Sequence, residues 1–274
     1  MTTFIKTLKI LAFTIIIVFS LILSAFLLFI AQFPSDKELK GCFKTEFYQV
    51  YLCPNSEHYV RLNQISNYLE KSIVLTEDSS FWQHQGFDLE EIEKSLKKNL
   101  ETGKYSRGGS TITQQLAKNL FLTPEKTIFR KIKEAIITVR LEKTLSKSEI
   151  LERYLNVIQF GTKVYGIKDA SWFYFKKKPS DLSIVESAFL TFLLPNPDKY
   201  SVSFFKKELT PFARKRIVEI IEKLHTYQRI TDEEYQIAQT ELAGFLNKSE
   251  FNDQDIPTNL EPEDEKIEQD IEEI

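Results

Sequence analysis

Residues Ile10–Ala31 are almost wholly apolar, and no charged residue stands between Ile10 and Ser35. A helix of that length crosses a hydrocarbon core of ~30 Å. Lys6 and Lys9 precede the segment and no acid does. The positive-inside rule therefore keeps the short N-terminus in the cytoplasm and exports everything after Pro34. A cleaved signal peptide is the alternative, but its apolar region runs only ~7–15 residues and needs a small-residue cleavage site that is not evident here. The expectation is a single-pass anchor carrying an extracytoplasmic domain. Export bears on the two cysteines, Cys42 and Cys53, which flank an aromatic and β-branched run, Phe43–Tyr51, suited to a small strand or hairpin. A disulfide is permitted in an oxidising compartment; two buried free thiols are the other possibility.

Charge is unevenly spread. From Glu250 to Ile274 there are eleven acids and one lysine, a net −10, so the remainder of the chain carries +7 although the whole carries −3. The tail cannot bury enough apolar surface to order itself. The body, with 42% apolar residues over the whole chain of 274, can build a core. Only 8 Gly and 9 Pro argue against a turn-rich all-β fold. Instead, helix signals follow one another. Leu62–Thr76 has apolar residues at helical spacing. Asp88 with Glu91 opens a helix to about Glu101, and Ser110 is placed to cap a short helix through Asn119. A long helix is expected over Lys126–Leu145. Ser146 with Glu149, Ser183 with Glu186 and Thr231 with Glu234 form capping-box patterns, and Thr210 precedes Pro211 at a first helical position. The expected segments are 1–9 cytoplasmic, 10–33 anchor, 34–61 linker, 62–247 one mainly α-helical domain and 248–274 tail.

Four stretches carry groups capable of chemistry. In Glu77–Gly86 two adjacent acids end an apolar helix beside Phe81 and Trp82. Burial next to aromatics raises a carboxyl pKa, as a base or acid working near neutrality requires; taken by themselves the residues read more simply as a solvated helix end with a surface His84. In Arg107–Gln115 paired glycines precede a hydroxyl-rich helix start, where backbone N–H groups attract anions, and Gln114 and Gln115 offer amides to sugar hydroxyls; an ordinary capped loop is the plainer account. Lys118, Lys126, Arg130, Lys131 and Glu134 form either a surface ion-pair group or a cationic cradle for phosphates. Lys147–Asn156 is amphipathic, and helix packing accounts for most of it.

Together the four blocks resemble the peptidoglycan glycosyltransferase family, found as monofunctional transglycosylases and as the N-terminal domain of class A penicillin-binding proteins. The family pattern E-D-x-x-F-x-x-H-x-G matches Glu77–Gly86, G-G-S-T-I-T-Q-Q matches Gly108–Gln115, R-K-x-x-E matches Arg130, Lys131 and Glu134, and K-x-x-I-L-E-x-Y-L-N matches Lys147–Asn156. A looser block, an apolar helix ending in P-x-P, fits Phe189–Pro197, and the likeness spans roughly Leu62–Tyr200. The resemblance implies a lysozyme-like helical glycosyltransferase domain with a smaller membrane-proximal lobe, preceded by one transmembrane helix. It implies polymerisation of lipid II into glycan strands, with Glu77 as catalytic base and Glu134 as a supporting acid near the leaving group. Lys118, Arg130 and Lys131 match basic positions around the pyrophosphate, and Lys126 stands where some members have arginine. Ser110, Thr111, Gln114 and Gln115 match substrate-cleft positions. The apolar pairs Phe121–Leu122 and Ile128–Phe129 are candidates to face lipid, with core packing as the alternative.

The implied partners are lipid II, the growing strand, the cytoplasmic membrane and other cell-wall synthesis proteins, with no nucleic acid. No cofactor is required by the pattern; a divalent cation, Mg or Mn, at the pyrophosphate is left open, and no protein metal site is expected. A glycoside hydrolase also needs two carboxylates on a helical frame, but has no pyrophosphate to bind with a basic cluster. A silent membrane scaffold would not need Glu77 and Glu134. A bifunctional class A protein is not expected: Ser95 and Lys98 fit S-x-x-K, but no K-T-G follows and a transpeptidase domain has no room.

Overall fold

Short polar side chains set most helix starts in this chain. The computed structural model describes residues 2–31, 33–103, 109–125 and 127–246; Lys126, loop residues 104–108 and the acidic tail 248–274 lie outside the described residues. The first helix, α1 (Thr2–Ile30), includes Leu11–Ile30, 20 residues long and apolar enough to cross a membrane; at 1.5 Å per residue that is about 30 Å. Among the described side chains of that stretch none is buried, and Phe29 near its end packs in part against the domain. Ser35 and Glu38 cap α2 (Asp36–Lys40) reciprocally. Arg140 donates to the Pro34 carbonyl (2.7 Å), fastening the end of the anchor to the domain.

A hairpin follows, β1 (Phe43–Lys44) pairing antiparallel with β2 (Tyr51–Leu52), and Cys42 is disulfide-bonded to Cys53 across it. The expected helix over Leu62–Thr76 is two pieces, a 3-10 turn at Leu62–Gln64 and α3 (Asn67–Glu77). The break has a tertiary cause: the Ser66 N–H donates to the Pro179 carbonyl (2.8 Å) and its hydroxyl to the Leu182 carbonyl (2.9 Å), so this residue serves the packing of distant chain rather than a continuous helix.

Asp88 caps α4 (Leu89–Thr102) through the Glu91 N–H, while its other oxygen accepts the Ser80 hydroxyl. The next cap is Thr111, not Ser110. Thr111 and Gln114 form a capping box at the start of α5 (Ile112–Phe121), and Ser110 is exposed one residue outside it. Thr127 caps α6 (Ile128–Thr144), so that helix begins two residues later than Lys126. Ser146 and Glu149 cap α7 (Lys147–Val157) reciprocally. A second hairpin, β3 (Gln159–Gly161) with β4 (Val164–Tyr165), leads into α8 (Ile167–Phe175). After it come a 3-10 turn at Pro179–Asp181, α9 (Ile184–Leu193), α10 (Pro197–Tyr200), α11 (Val202–Phe205), α12 (Pro211–Thr226) and α13 (Asp232–Gly244). The boxes at Ser183–Glu186 and Thr231–Glu234 and the Thr210 cap before Pro211 are all in place.

All ten residues of α9 are buried, and α3, α10, α12 and α13 pack around it. The Ser72 and Thr191 hydroxyls meet at 2.6 Å where α3 crosses α9, so these two buried polar atoms satisfy each other. In a second group α5 packs on both α6 and α7, and hydrogen bonds from Ile112 and Gln115 of α5 join it to the end of α3. The expected lipid-facing pairs part company. Ile128 and Phe129 are 71% and 74% exposed, but Leu122 is buried and Phe121 stacks on Phe43 with ring centroids 5.0 Å apart.

Turning from α7 through the second hairpin into α8 requires a left-handed backbone at Gly166 (φ +76), whose N–H donates to the Ile158 carbonyl. A Cβ there would lie 2.6 Å from the Asn156 carbonyl oxygen, a backbone atom that cannot swing away. Gly166→Ala should therefore lower unfolding stability by ~1–3 kcal/mol, measured by urea denaturation.

Candidate active site

The first sequence block ends α3, and tertiary contacts turn its acids inward. Asp78, 7% exposed, accepts the His84 Nε2–H (2.8 Å) and the backbone N–H of Ile112 (2.9 Å). His84 Nδ1 accepts the Gly86 N–H (3.0 Å), which leaves the ring proton on Nε2, facing Asp78. The Thr111 hydroxyl in turn donates to the Gly86 carbonyl (2.7 Å). The first and second blocks are thus joined at the start of α5, where the Ile112 N–H would otherwise lack a partner. Gly86 is held at φ +90, and a Cβ would meet Thr138 Cγ2 at 2.7 Å, so α6 passes too close for any side chain. Burial raises the Asp78 pKa above its ordinary value, opposed by the His84 and Ile112 hydrogen bonds.

Fixing the start of α5 places its next turns against Glu77. Gln115 Nε2 donates to Glu77 Oε2 (2.9 Å), and Gln115 Oε1 accepts the Tyr154 hydroxyl (3.0 Å) from α7. Burial pushes the Tyr154 phenol well above its usual pKa, with the Glu77 charge adding to the effect, so the hydroxyl remains a donor. That donor fixes which end of the Gln115 amide faces the carboxylate. Burial raises the Glu77 pKa; the Gln115 bond and the Lys118 charge pull it down, and neighbouring Asp78 pushes it up. The result is a half-buried carboxylate that favours taking a proton.

Glu134, on α6 and 3% exposed, is bonded by Arg130 Nη1 (2.9 Å) and by Lys131 Nζ. Lys118 on α5 lies in the field of both acids. Burial lowers its pKa, Glu134 and, more weakly, Glu77 raise it, and Arg130 and Lys131 reinforce the lowering. Arg130 Nε is buried and has no hydrogen-bond partner among the described residues. The fourth block closes the frame: Lys147 Nζ pairs with Glu142 (2.7 Å) and lies 4.5 Å from the centroid of the buried Phe81 ring.

The ten expected site residues therefore fall in different places. Glu77, Gln115 and Lys118 are grouped, and Glu134, Arg130 and Lys131 form an adjoining cluster coupled to them through Lys118. Thr111 and Gln114 are buried and bonded to each other in the cap, Ser110 is exposed, and Lys126 lies outside the described residues. Asp78, His84 and Tyr154 were not picked out as site residues from sequence. A tyrosine among Ile150, Leu151 and Leu155 was the available signal for Tyr154, because a buried phenol needs a partner. A cavity of about 400 Å3 opens beside the site between Trp82, His84, Val139 and Lys143. Another, of about 570 Å3, is lined by Phe173, Phe204, Phe205 and Phe245 and includes none of the site residues. Among the described residues no three His, Cys, Asp or Glu side chains gather as metal ligands. Both Glu134 oxygens are taken by cations, so these residues do not fit a divalent ion.

The raised Glu77 pKa has a consequence for stability. A carboxyl whose folded pKa lies above its ordinary value near 4.5 gives its full stabilisation below that value and loses it as pH rises through the raised one. Glu77→Gln removes that loss. Thermal melts should show the variant gaining on wild type between mild acid and neutral pH, and a variant that falls behind with rising pH would contradict the assignment.

The match to known proteins agrees with these blocks. The Transglycosylase family model matches residues 45–225. A biosynthetic peptidoglycan transglycosylase of Nitrosomonas eutropha is 51% identical over 142 residues, covering 52% of this chain and 58% of that protein. Its counterpart in Alcanivorax borkumensis is 50% identical over 138 residues, covering 50% and 56%, and that of Azoarcus sp. is 47% identical over 146 residues, covering 53% and 63%. The chain thus spans about six-tenths of the length of the curated relatives it matches. Because the family model takes in well over half of its residues, the chain belongs to the transglycosylase family.

Proposed function

We propose that the protein polymerises lipid II into peptidoglycan glycan strands. The observation that carries this reading is the pairing of a half-buried, proton-attracting Glu77 with an adjoining cluster of cations around Glu134. Glu77 takes the proton from the 4-hydroxyl of the acceptor GlcNAc. The oxygen forms a bond to C1 of the strand's terminal MurNAc from the face opposite the leaving group, and the C1–O bond to undecaprenyl pyrophosphate breaks with inversion. A raised pKa suits a base that works near neutral pH. Negative charge grows on the departing pyrophosphate, and Lys118, Arg130 and Lys131 stabilise it in a partly desolvated place. Arg130 Nε, which has no partner among the described residues, is a donor that a phosphate oxygen would satisfy. Glu134 keeps Arg130 and Lys131 ordered before substrate arrives. No step is routed through a divalent ion.

The substrate's lipid suits the surface of this protein. Leu89 and Leu100 on α4 are 75% and 77% exposed, and Leu96 shares their face; Ile128, Phe129 and Ile132 are exposed on α6. We assign these helices to the smaller lobe, in contact with the outer leaflet of the cytoplasmic membrane. The anchor leaves its N-terminus in the cytoplasm and the domain outside. A hydrolase would make no use of cations grouped beside the second carboxylate, which favours transfer over cleavage.

Incubating the detergent-solubilised protein with labelled lipid II tests the reading. Wild type should yield polymer and release undecaprenyl pyrophosphate, and Glu77→Gln should lose ~10²–10⁴ in rate while still binding lipid II. Shortening of pre-formed strands without polymer would support hydrolysis instead. Lys118→Ala should weaken binding of the pyrophosphate-bearing donor by an amount typical of a charged hydrogen bond, about 1.5–3 kcal/mol, read from the concentration dependence of the rate.

A further inference from the structure

The proposed chemistry uses no residue of the disulfide-closed hairpin, yet the turn of that hairpin reaches the site. The Cys42–Cys53 bond lies at its open end. At its tip, the Thr45 N–H donates to the Val50 carbonyl (2.7 Å) and the Val50 N–H to the Thr45 hydroxyl (3.0 Å). The Glu46 N–H donates to the Leu120 carbonyl (2.9 Å) and the Phe47 N–H to that of Asn119 (3.4 Å). These are among the last carbonyls of α5, which the helix itself leaves unpaired. The tip is therefore docked on the end of α5, on carbonyls one and two residues beyond Lys118. Docked there, the Phe47 ring lies under the Lys118 ammonium, 5.2 Å from centroid to Nζ. Tyr48 beside it packs on Tyr165, with centroids 4.9 Å apart, so the tip is held from both sides.

Lys118 differs from its basic neighbours. Arg130 and Lys131 are held by Glu134, whereas Lys118 has no ion-pair or hydrogen-bond partner among the described residues. A lysine on a four-carbon stem loses rotamer freedom when it is fixed. A carboxylate partner would fix it but would compete with an incoming phosphate. An aromatic face attracts the ammonium through its quadrupole and leaves all three N–H donors free.

We propose that Phe47 is a positioning residue: its ring holds the Lys118 ammonium ready for the pyrophosphate group, and the disulfide-closed hairpin is the bracket that fixes the ring. This rests on the pyrophosphate reading of Lys118. Phe47→Leu keeps an apolar side chain of similar size but removes the π face. It should weaken inorganic pyrophosphate binding, measured by calorimetry, and raise KM for lipid II by ~2–5-fold, the lower part of the range expected of a cation–π contact. The Tm should hardly change, while kcat should fall modestly, because Lys118 also stabilises the departing pyrophosphate. Phe47→Tyr should restore most of the affinity. In a Lys118→Ala background Phe47→Leu should add nothing, and replacing Cys42 and Cys53 together by Ser should act in the same direction as Phe47→Leu. The ε-methylene protons of Lys118 should be shifted upfield by the ring in wild type and return to ordinary values in Phe47→Leu. Wild-type affinity in Phe47→Leu, an equal loss with or without Lys118, or no ring-induced shift would each overturn the proposal. If wild type itself neither bound pyrophosphate nor polymerised lipid II, the functional reading would fall first and take the positioning role with it.

Discussion

The buried Asp78 carboxylate organises this site. It accepts one hydrogen bond from the Ile112 backbone and one from His84, and so pins the end of α3 to the beginning of α5. Removing a buried charge's partners costs far more than a surface contact does. The two helix ends are therefore fixed relative to each other, and the geometry of the candidate site follows from helical spacing. Glu77 is the residue before Asp78. Gln115 is one turn into α5, and Lys118 lies one turn further. A single clamp thus sets the distance between a carboxylate, the amide that orients it and the cation beyond.

Charge balance along α5 and α6 is the second constraint. Glu134 is almost wholly buried and would be costly alone; Arg130 and Lys131, one turn before it on the same helix, satisfy it. The arrangement leaves a surplus of positive charge once Lys118 is counted. A fold gains nothing from crowding three cations about one acid, because they repel one another; burial is the main cause of the lowered Lys118 pKa, and the Arg130 and Lys131 charges add to it. An anionic ligand relieves that repulsion. The same trade-off between stability and function appears at Glu77, which burial disfavours as an anion but which the proposed reaction needs as a base.

What could be read from sequence was mainly what is local. Boxes such as Ser146–Glu149 and Thr231–Glu234 are bonds between residues three apart, and each is present. Thr111 displaced Ser110 as the cap because Thr111 also reaches the Gly86 carbonyl, a contact 25 residues away that no local pattern contains. Glu77 and Asp78 looked like a solvated helix end because their burial depends on α5 and on His84 folding back. Tyr154 was hidden in an amphipathic pattern whose period it obeys. The Cys42–Cys53 bond was allowed by compartment and spacing, but the docking of its hairpin on α5 uses backbone groups, on which side-chain patterns are silent.

The central claim is that burial raises the Glu77 pKa, while the Tyr154–Gln115 chain, donating to the carboxylate, orients it and limits that rise. An NMR titration of 13C-labelled glutamate, with Glu77 assigned through Glu77→Gln, reads that value directly. The account predicts a Glu77 pKa above the ordinary value near 4.5 in wild type. It predicts a further rise in Tyr154→Phe, where the Gln115 amide is no longer oriented to donate. A Glu77 that titrates at or below the ordinary carboxyl value, with no response to Tyr154→Phe, would contradict it.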